Sequence, residues 1–174
     1  LIPIIVPYTR LYTETVEAVP DAHFFEITDG DGYRLLLRRL WKAGEPFILV
    51  EHDVAPRREQ LDALVACDHA WCHFGYVAGD WVPKFGCTRF GSEIIAGTQG
   101  VWDDESWPWG QLDARFAGAA LSAGFLPHWH SPHVLHLRNA YVGTDGREQR
   151  IRYDDQTNLR FLQAEAETLR ASLR

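Results

Sequence analysis

The apolar run Ile48-Leu49-Val50 stops on Glu51-His52-Asp53, two acids flanking a histidine. With Gly44 and Pro46 ahead of it, the run reads as a buried strand. Carboxylates at its C-terminal end suit a site better than a core, because ligands of open α/β sheets gather beyond the carboxyl ends of the strands. On an extended chain, residues i and i+2 point the same way, about 7 Å apart at roughly 3.3 Å per residue. Glu51 and Asp53 so arranged can hold a hard divalent cation with its hydrated or phosphate-bearing partner. The competing reading is that they cap the next turn, with Asp53 as N-cap of a helix starting near Pro56.

Two earlier polar clusters fall in comparable places. Pro7-Tyr8-Thr9-Arg10 follows the β-branched run Ile2 to Val6, and Asp29-Gly30-Asp31-Gly32 follows the strand-like Ala22 to Thr28. Three polar strand ends on one edge of one sheet carry more than any of them alone. Later, His128, His130, His133 and His136 supply four of the eight histidines. On a strand, His128 and His130 share one face. Three imidazoles could hold zinc, whereas the company of Glu51 and Asp53 favours Mg²⁺ or Mn²⁺. Asp113 sits where a helix begins, a place that also favours an acid through the helix dipole. Asp103-Asp104-Glu105 reads as a solvated acidic turn. Most of Trp81, Trp102, Trp107, Trp109 and Trp129 read as packing, with an acceptor pocket as the functional alternative.

The elements that position these residues follow from periodicity. Ile2 to Val6 predicts a central strand, and Thr13 to Val19 a short helix ending at Pro20. Tyr33 to Ala43 predicts a helix with Leu36, Leu40 and Trp41 on one face and Gly44 as its C-cap. Phe47 to Val50 is the next strand, so the first third alternates strand and helix as a parallel sheet requires. Arg57 to Ala66 predicts a helix burying Leu61, Leu64 and Val65. Trp71 to Val77 and Phe85 to Ile95 read as strands of an irregular β-region, and Gln111 to Ala123 as a helix ended by Gly124. Thr157 to Leu173 carries leucines at helical spacing, which suits docking on the domain or self-association through a partner helix.

At 174 residues, 46% hydrophobic and 13% aromatic, the chain supports one domain with a real core. A formal charge of -7 is opposite to the basic footprint of a general nucleic-acid binder. The three cysteines, Cys67, Cys72 and Cys87, lack metal-knuckle spacing and read as reduced thiols of a cytoplasmic protein, with Cys87 as a buried small residue. No apolar run approaches the length of a membrane span, and the apolar N-terminus lacks a signal peptide's basic flank. The absence of methionine predicts that at least an initiating residue is missing.

Over about residues 1–138, the order of the three polar strand ends resembles the nucleotide-sugar-binding half of a GT-A glycosyltransferase, especially family-2-like enzymes. It departs in the Glu and His that occupy the first two places of the Asp-x-Asp-type motif, and in its short spacing. The resemblance implies a GT-A-like (Rossmann-like) α/β fold, a mostly parallel sheet flanked by helices, with a C-terminal helix. Residues 1–140 would form the catalytic domain and 141–174 a linker and helix. The implied activity is metal-dependent transfer of a sugar from a nucleotide-sugar donor to an acceptor hydroxyl, with inversion.

Under that resemblance Pro7, Thr9 and Arg10 lie near the nucleotide, and Asp29 near the base or ribose. Asp53 is the principal ligand of Mn²⁺ or Mg²⁺, Glu51 lies near the ribose or the metal shell, and His136 (then His133) adds an imidazole. Arg89, in the segment Lys84 to Gly91, lies where donor and acceptor meet, and Asp113 is the base. The acceptor is left open among a glycan, a lipid, a protein and a modified nucleic-acid base. A His/Asp metal-dependent hydrolase and a non-catalytic glycan- or protein-binding module are the alternatives.

Overall fold

In a computed structural model of the protein, residues 1–75, 85–105 and 111–137 are described, with the backbone of 140–142 and 148–150. β-Branched and aromatic residues form Ile4–Tyr8 (β1), His23–Glu26 (β2) and Phe47–Val50 (β3). β1 lies between β2 and β3 and is parallel to both. Thr13–Ala18 (α1) and Gly32–Ala43 (α2) make the crossovers. α2 ends at Gly44, whose φ of 75° is the left-handed C-cap conformation that glycine adopts without a Cβ penalty.

A two-residue strand, Val54–Ala55 (β4), and a helix, Arg58–Ala66 (α3), lead to Trp71–Phe74 (β5) and Cys87–Phe90 (β6). Ser92–Gly97 (α4) and Leu112–Ser122 (α5) precede His128–His130 (β7) and Leu135–His136 (β8). The main sheet has six strands in the order β2-β1-β3-β6-β5-β7. β6 is antiparallel to both its neighbours, and the other pairings are parallel. Separately, β4 pairs with β8, and Ala140–Val142 (β9) pairs with Glu148–Arg150 (β10). The fold is thus the expected mostly parallel α/β sheet flanked by helices. The hairpin of β9 and β10 straddles the division expected at 140, and the expected C-terminal helix lies outside the described residues.

Alternation along the strands divides the core into two layers. Ile5, Phe47, Leu49, Trp71 and Phe90 face α2, α4 and α5, with Trp41, Trp102 and Phe116 in the same cluster. Val6, Ile48, Val50, Cys72, Phe74 and Cys87 pack with Val19, Leu61 and Leu64 on the other side. Trp41 anchors the first layer. Its ring meets Phe47, Phe90, Trp102 and Phe116 at centroid distances of 5.7, 5.1, 5.3 and 5.4 Å. Its indole N–H donates to Thr98 Oγ1 at 3.0 Å, so the polar atom is satisfied inside the core.

Three local expectations need correction. Phe85 to Ile95 is not continuous strand, because the chain turns into α4 after Gly91. Val65 is 51% exposed, and α3 instead buries Gln60 alongside Leu61 and Leu64. The Gln60 amide donates to the carbonyls of Pro132 and His133, which explains a polar residue on the inner face. Pro7 lies inside β1 and is buried, not in a loop, and its Cα pairs with Phe25.

Replacing Trp41 with alanine is expected to destabilise the fold by about 3–5 kcal/mol, through both lost burial and the cavity left behind. Trp41→Phe, which keeps a ring, should lose distinctly less. Urea denaturation of the two variants checks the difference.

Candidate functional site at the sheet edge

β1 sends the chain out to β2 on one side, and the return from β2 enters β3 on the other. α1 and α2 therefore lie on opposite faces of the sheet, and the chain changes direction between the C-terminal ends of β1 and β3. Ligands of open α/β sheets bind at such a switch of direction. The loop after β1 carries Thr9 and Arg10, both exposed, and the turn after β3 carries Glu51-His52-Asp53.

That turn corrects the extended geometry expected there. The Val54 amide donates to Glu51 O at 3.0 Å, so 51–54 is a hydrogen-bonded turn. Glu51 and Asp53 are not held side by side as on a strand. The turn is clamped from three directions. The Glu51 amide donates to Gly86 O at 2.9 Å, Thr15 Oγ1 donates to His52 O at 2.8 Å, and the Leu137 amide donates to Asp53 O at 2.7 Å. The Tyr12 ring lies over His52 at 6.1 Å, and the Arg10 guanidinium lies over the other ring of this column, Tyr12, at 5.4 Å. Tyr12 and Thr15 were not legible as site residues, since each faces His52 only once α1 has folded back.

β8 delivers the decisive neighbour. Val54 pairs with His136, and this two-strand ladder sets His136 Nε2 3.6 Å from Asp53 Oδ2. Asp53 is 6% exposed, so the carboxylate and imidazole meet in a largely dry place. His133 comes to the same edge, past the end of β5. A Cβ on Gly75 would stand 3.4 Å from His133 Nε2 and 3.3 Å from Trp129, so glycine lets the chain pass beneath both rings. His133 is buried, and its Nδ1 has no hydrogen-bond partner among the described residues.

Among the described residues, no third His, Cys, Asp or Glu ligand atom joins Asp53 and His136 within 4.8 Å, so Glu51 does not complete the pair. The donor set still fits a divalent cation that takes two ligands from protein and the rest from water and substrate phosphate. The imidazole favours Mn²⁺ over Mg²⁺, which prefers oxygen throughout.

The other expected site residues are spread more widely. Asp29 Oδ1 accepts from the Asp31 and Gly32 amides at 3.0 and 2.7 Å, bracing the entry to α2. Arg89 does not reach this edge. Because β6 runs antiparallel, residue 89 lies toward the opposite end of the sheet, where its guanidinium donates to His69 O at 2.7 Å.

Asp113 stands in the first turn of α5, partly buried. Two residues on, Arg115 donates to Val101 O at 2.7 Å, and the buried Arg34 of α2 donates to Trp102 O at 2.5 Å. The starts of α2 and α5 are thereby tied to one turn near the C-terminal edge. α5 packs on the first core layer while Val54 packs on the second, so the Asp113 and Asp53 regions can communicate only over that edge.

The acidic turn is not merely solvated. Asp103 accepts from Arg38 at 2.7 Å, Asp104 lies 3.4 Å from Arg115, and Glu105 lies 3.8 Å from Arg34. Asp31, the N-cap residue of α2, grips Arg34 in the first turn, and the bond to Arg34 holds its carboxyl below the ordinary range. Of the tryptophans in question, Trp102 is core and Trp129 is 39% exposed, while Trp81, Trp107 and Trp109 lie outside the described residues. Cys87 is buried as expected, and burial pushes its thiol up.

No family model matches the chain, and no curated protein matches it. Among solved structures it is similar to one described as A197 from STIV, at 10% identity and a TM-score of 0.56 over 87% of this chain and 96% of that one. The likeness is one of fold. A second structure, described as a glycosyltransferase involved in the glycosylation of the major capsid of PBCV-1, aligns at 15% identity and a TM-score of 0.48. That match covers 76% of this chain and 82% of the other. Among the described residues no helix is long and apolar enough to cross a membrane.

Burial holds the His133 imidazole below its ordinary value of 6.5. Once the pH drops below that value, the unfolded chain takes up a proton that the folded protein refuses. This contribution to stability is therefore complete above 6.5 and is lost as the pH falls through the lowered folded value. The urea midpoint should drop between about pH 7 and pH 5 in the native protein, and less steeply in His133→Gln.

Proposed function

We propose that the chain is a glycosyltransferase that takes a sugar from a nucleotide-sugar donor, assisted by Mn²⁺ or Mg²⁺. The observation that carries this reading is the buried Asp53–His136 pair at the switch between β1 and β3. The order of polar strand ends in the sequence points the same way. Asp53 and His136 would hold the cation, which would supply positive charge beside the diphosphate leaving group. Thr9 and Arg10, exposed on the neighbouring loop, would face the nucleotide, with Tyr12 and His52 as the wall beneath it. Asp113 would take the proton from the acceptor hydroxyl as that oxygen attacks the anomeric carbon from the side opposite the departing diphosphate. Inversion follows from that single displacement.

The test is a thermal-shift titration with Mn²⁺ and UDP or GDP, followed by nucleotide-sugar hydrolysis with and without Mn²⁺. Stabilisation is expected only when metal and nucleotide are both present. Asp53→Asn and His136→Gln should each lower the metal-dependent rate by more than about 100-fold, since even groups that merely orient metal ligands are worth 10–100-fold. Asp113→Asn should suppress transfer while leaving the thermal shift intact. No response to nucleotide in any condition would overturn the reading, and tight metal binding that is lost in Asp53→Asn but independent of nucleotide would point to a hydrolase.

A further inference from the structure

A second group of metal-ligating side chains lies on the sheet's edge strand and shares no residue with the Asp53–His136 site. β7 runs parallel to β5, with His128 opposite Cys72 and His130 opposite Phe74. Both histidines project to the face covered by α3, and Trp129 between them projects to the other. α3 packs Leu61 and Leu64 on that face and ends at Cys67, its C-cap residue. The helix end thus lowers a thiol onto the two imidazoles. One ligand atom each from Cys67, His128 and His130 lies within 4.8 Å of the others, and all three side chains are half-buried. A tetrahedral ion with ligands at about 2.0–2.3 Å would hold them about 3.5 Å apart, a contraction that small side-chain rotations supply.

Several contacts are those of a prepared site. The His128 and His130 rings meet at 4.7 Å, and Phe74 stacks on His130 at 4.9 Å, which fixes that ring's plane. His130 Nε2 is buried and has no hydrogen-bond partner among the described residues, an unusual condition for a buried ring nitrogen. His69 stacks on His128 at 3.9 Å, and its Nδ1 lies 3.6 Å from Cys67 Sγ. Asp68, 96% exposed, lies 3.2 Å from that same nitrogen. The His69 ring is thus held beside both the Cys67 sulfur and the His128 ring, an outer contact of the kind that orients metal ligands.

We propose that Cys67, His128 and His130 form a zinc site, with His69 as the outer residue that positions Cys67 and His128, and with the fourth coordination place open to water. Thiolate with imidazole selects zinc over magnesium, calcium or manganese, which favour oxygen donors. Binding releases the Cys67 proton to solvent and forms one Zn–S and two Zn–N bonds, with no change of oxidation state. Pinning the end of α3 to β7 would also fasten the sheet's outer strand to the helix layer.

The full chain, reduced and stripped of metal, is titrated with Zn²⁺ and in parallel with Co²⁺, whose thiolate charge-transfer and tetrahedral ligand-field bands report the ligand set. One equivalent of either ion is expected, with both bands present. Cys67→Ser should abolish the charge-transfer band and weaken Zn²⁺ binding at least tenfold, and His130→Gln should abolish the tetrahedral ligand-field bands. Asp53→Asn should leave both bands unchanged, which separates this site from the one proposed for catalysis. His69→Gln should weaken Co²⁺ binding while leaving both bands in place, since it positions the ligands without being one. Binding weaker than the free ion's affinity for buffer, or binding unaffected by Cys67→Ser and His130→Gln, would overturn the proposal.

Discussion

Parallel strands cannot be joined by a tight turn, because the chain must travel back along the sheet before it pairs again. β1 has parallel partners on both sides, so the connections from β1 to β2 and from β2 to β3 must cross the sheet, and the structure sends one over each face. Everything at the C-terminal edge depends on that. α1 covers one layer and places Tyr12 and Thr15 against the turn after β3. α2 covers the other and brings Arg34 to the turn at residues 101–105. The aromatic layer around Trp41 then keeps α2, α4 and α5 at a fixed height above the sheet, so the residues at their ends keep their positions over the edge.

Charge is organised to the same end. The protein is acidic overall, yet the acids near the starts of α2 and α5 are largely engaged. Asp31, Asp103, Asp104 and Glu105 are matched by Arg34, Arg38 and Arg115, and two of these arginines also hold backbone carbonyls of the intervening turn. The most buried of them, Arg34, meets partners that stay in contact with solvent, Asp31 at 45% and Glu105 at 80% exposed, so the ion pairs sit at the boundary and the charge-assisted bond to Asp31 serves mainly to orient the guanidinium. Neutralising these carboxylates lowers the negative field at this end of the molecule.

The histidine-rich segment near the end of the described chain serves two ends of the structure at once. Its first two histidines sit on β7 beneath α3, while its last folds across to the turn after β3. Between them, Pro132 and His133 receive the Gln60 amide on their carbonyls, so α3 braces both arms. One helix therefore supports the cluster at Cys67 and steadies the route of the chain toward Asp53. Chemistry of two kinds, carboxylate with imidazole and thiol with imidazole, is kept apart by the width of the sheet's outer strands.

What the sequence by itself determined is local: the alternation of strand and helix through residue 66, the C-cap at Gly44, the buried run ending at Glu51, and the burial of Trp41 and Cys87. These follow from periodicity, turn chemistry and hydrophobicity, which act over a few residues. Asp53 and His136 were each singled out by residue type, but their meeting required β4 and β8 to pair. The same limit hid the cluster of Cys67, His69, His128 and His130, whose spacing in the chain resembles no metal motif. It also hid the turn at 51–54, since clamps from Gly86, Thr15 and Leu137 override the extended conformation expected there. Arg89 shows the limit most simply. Which end of the sheet a strand residue faces depends on strand direction, and only the assembled sheet decides that β6 runs backwards.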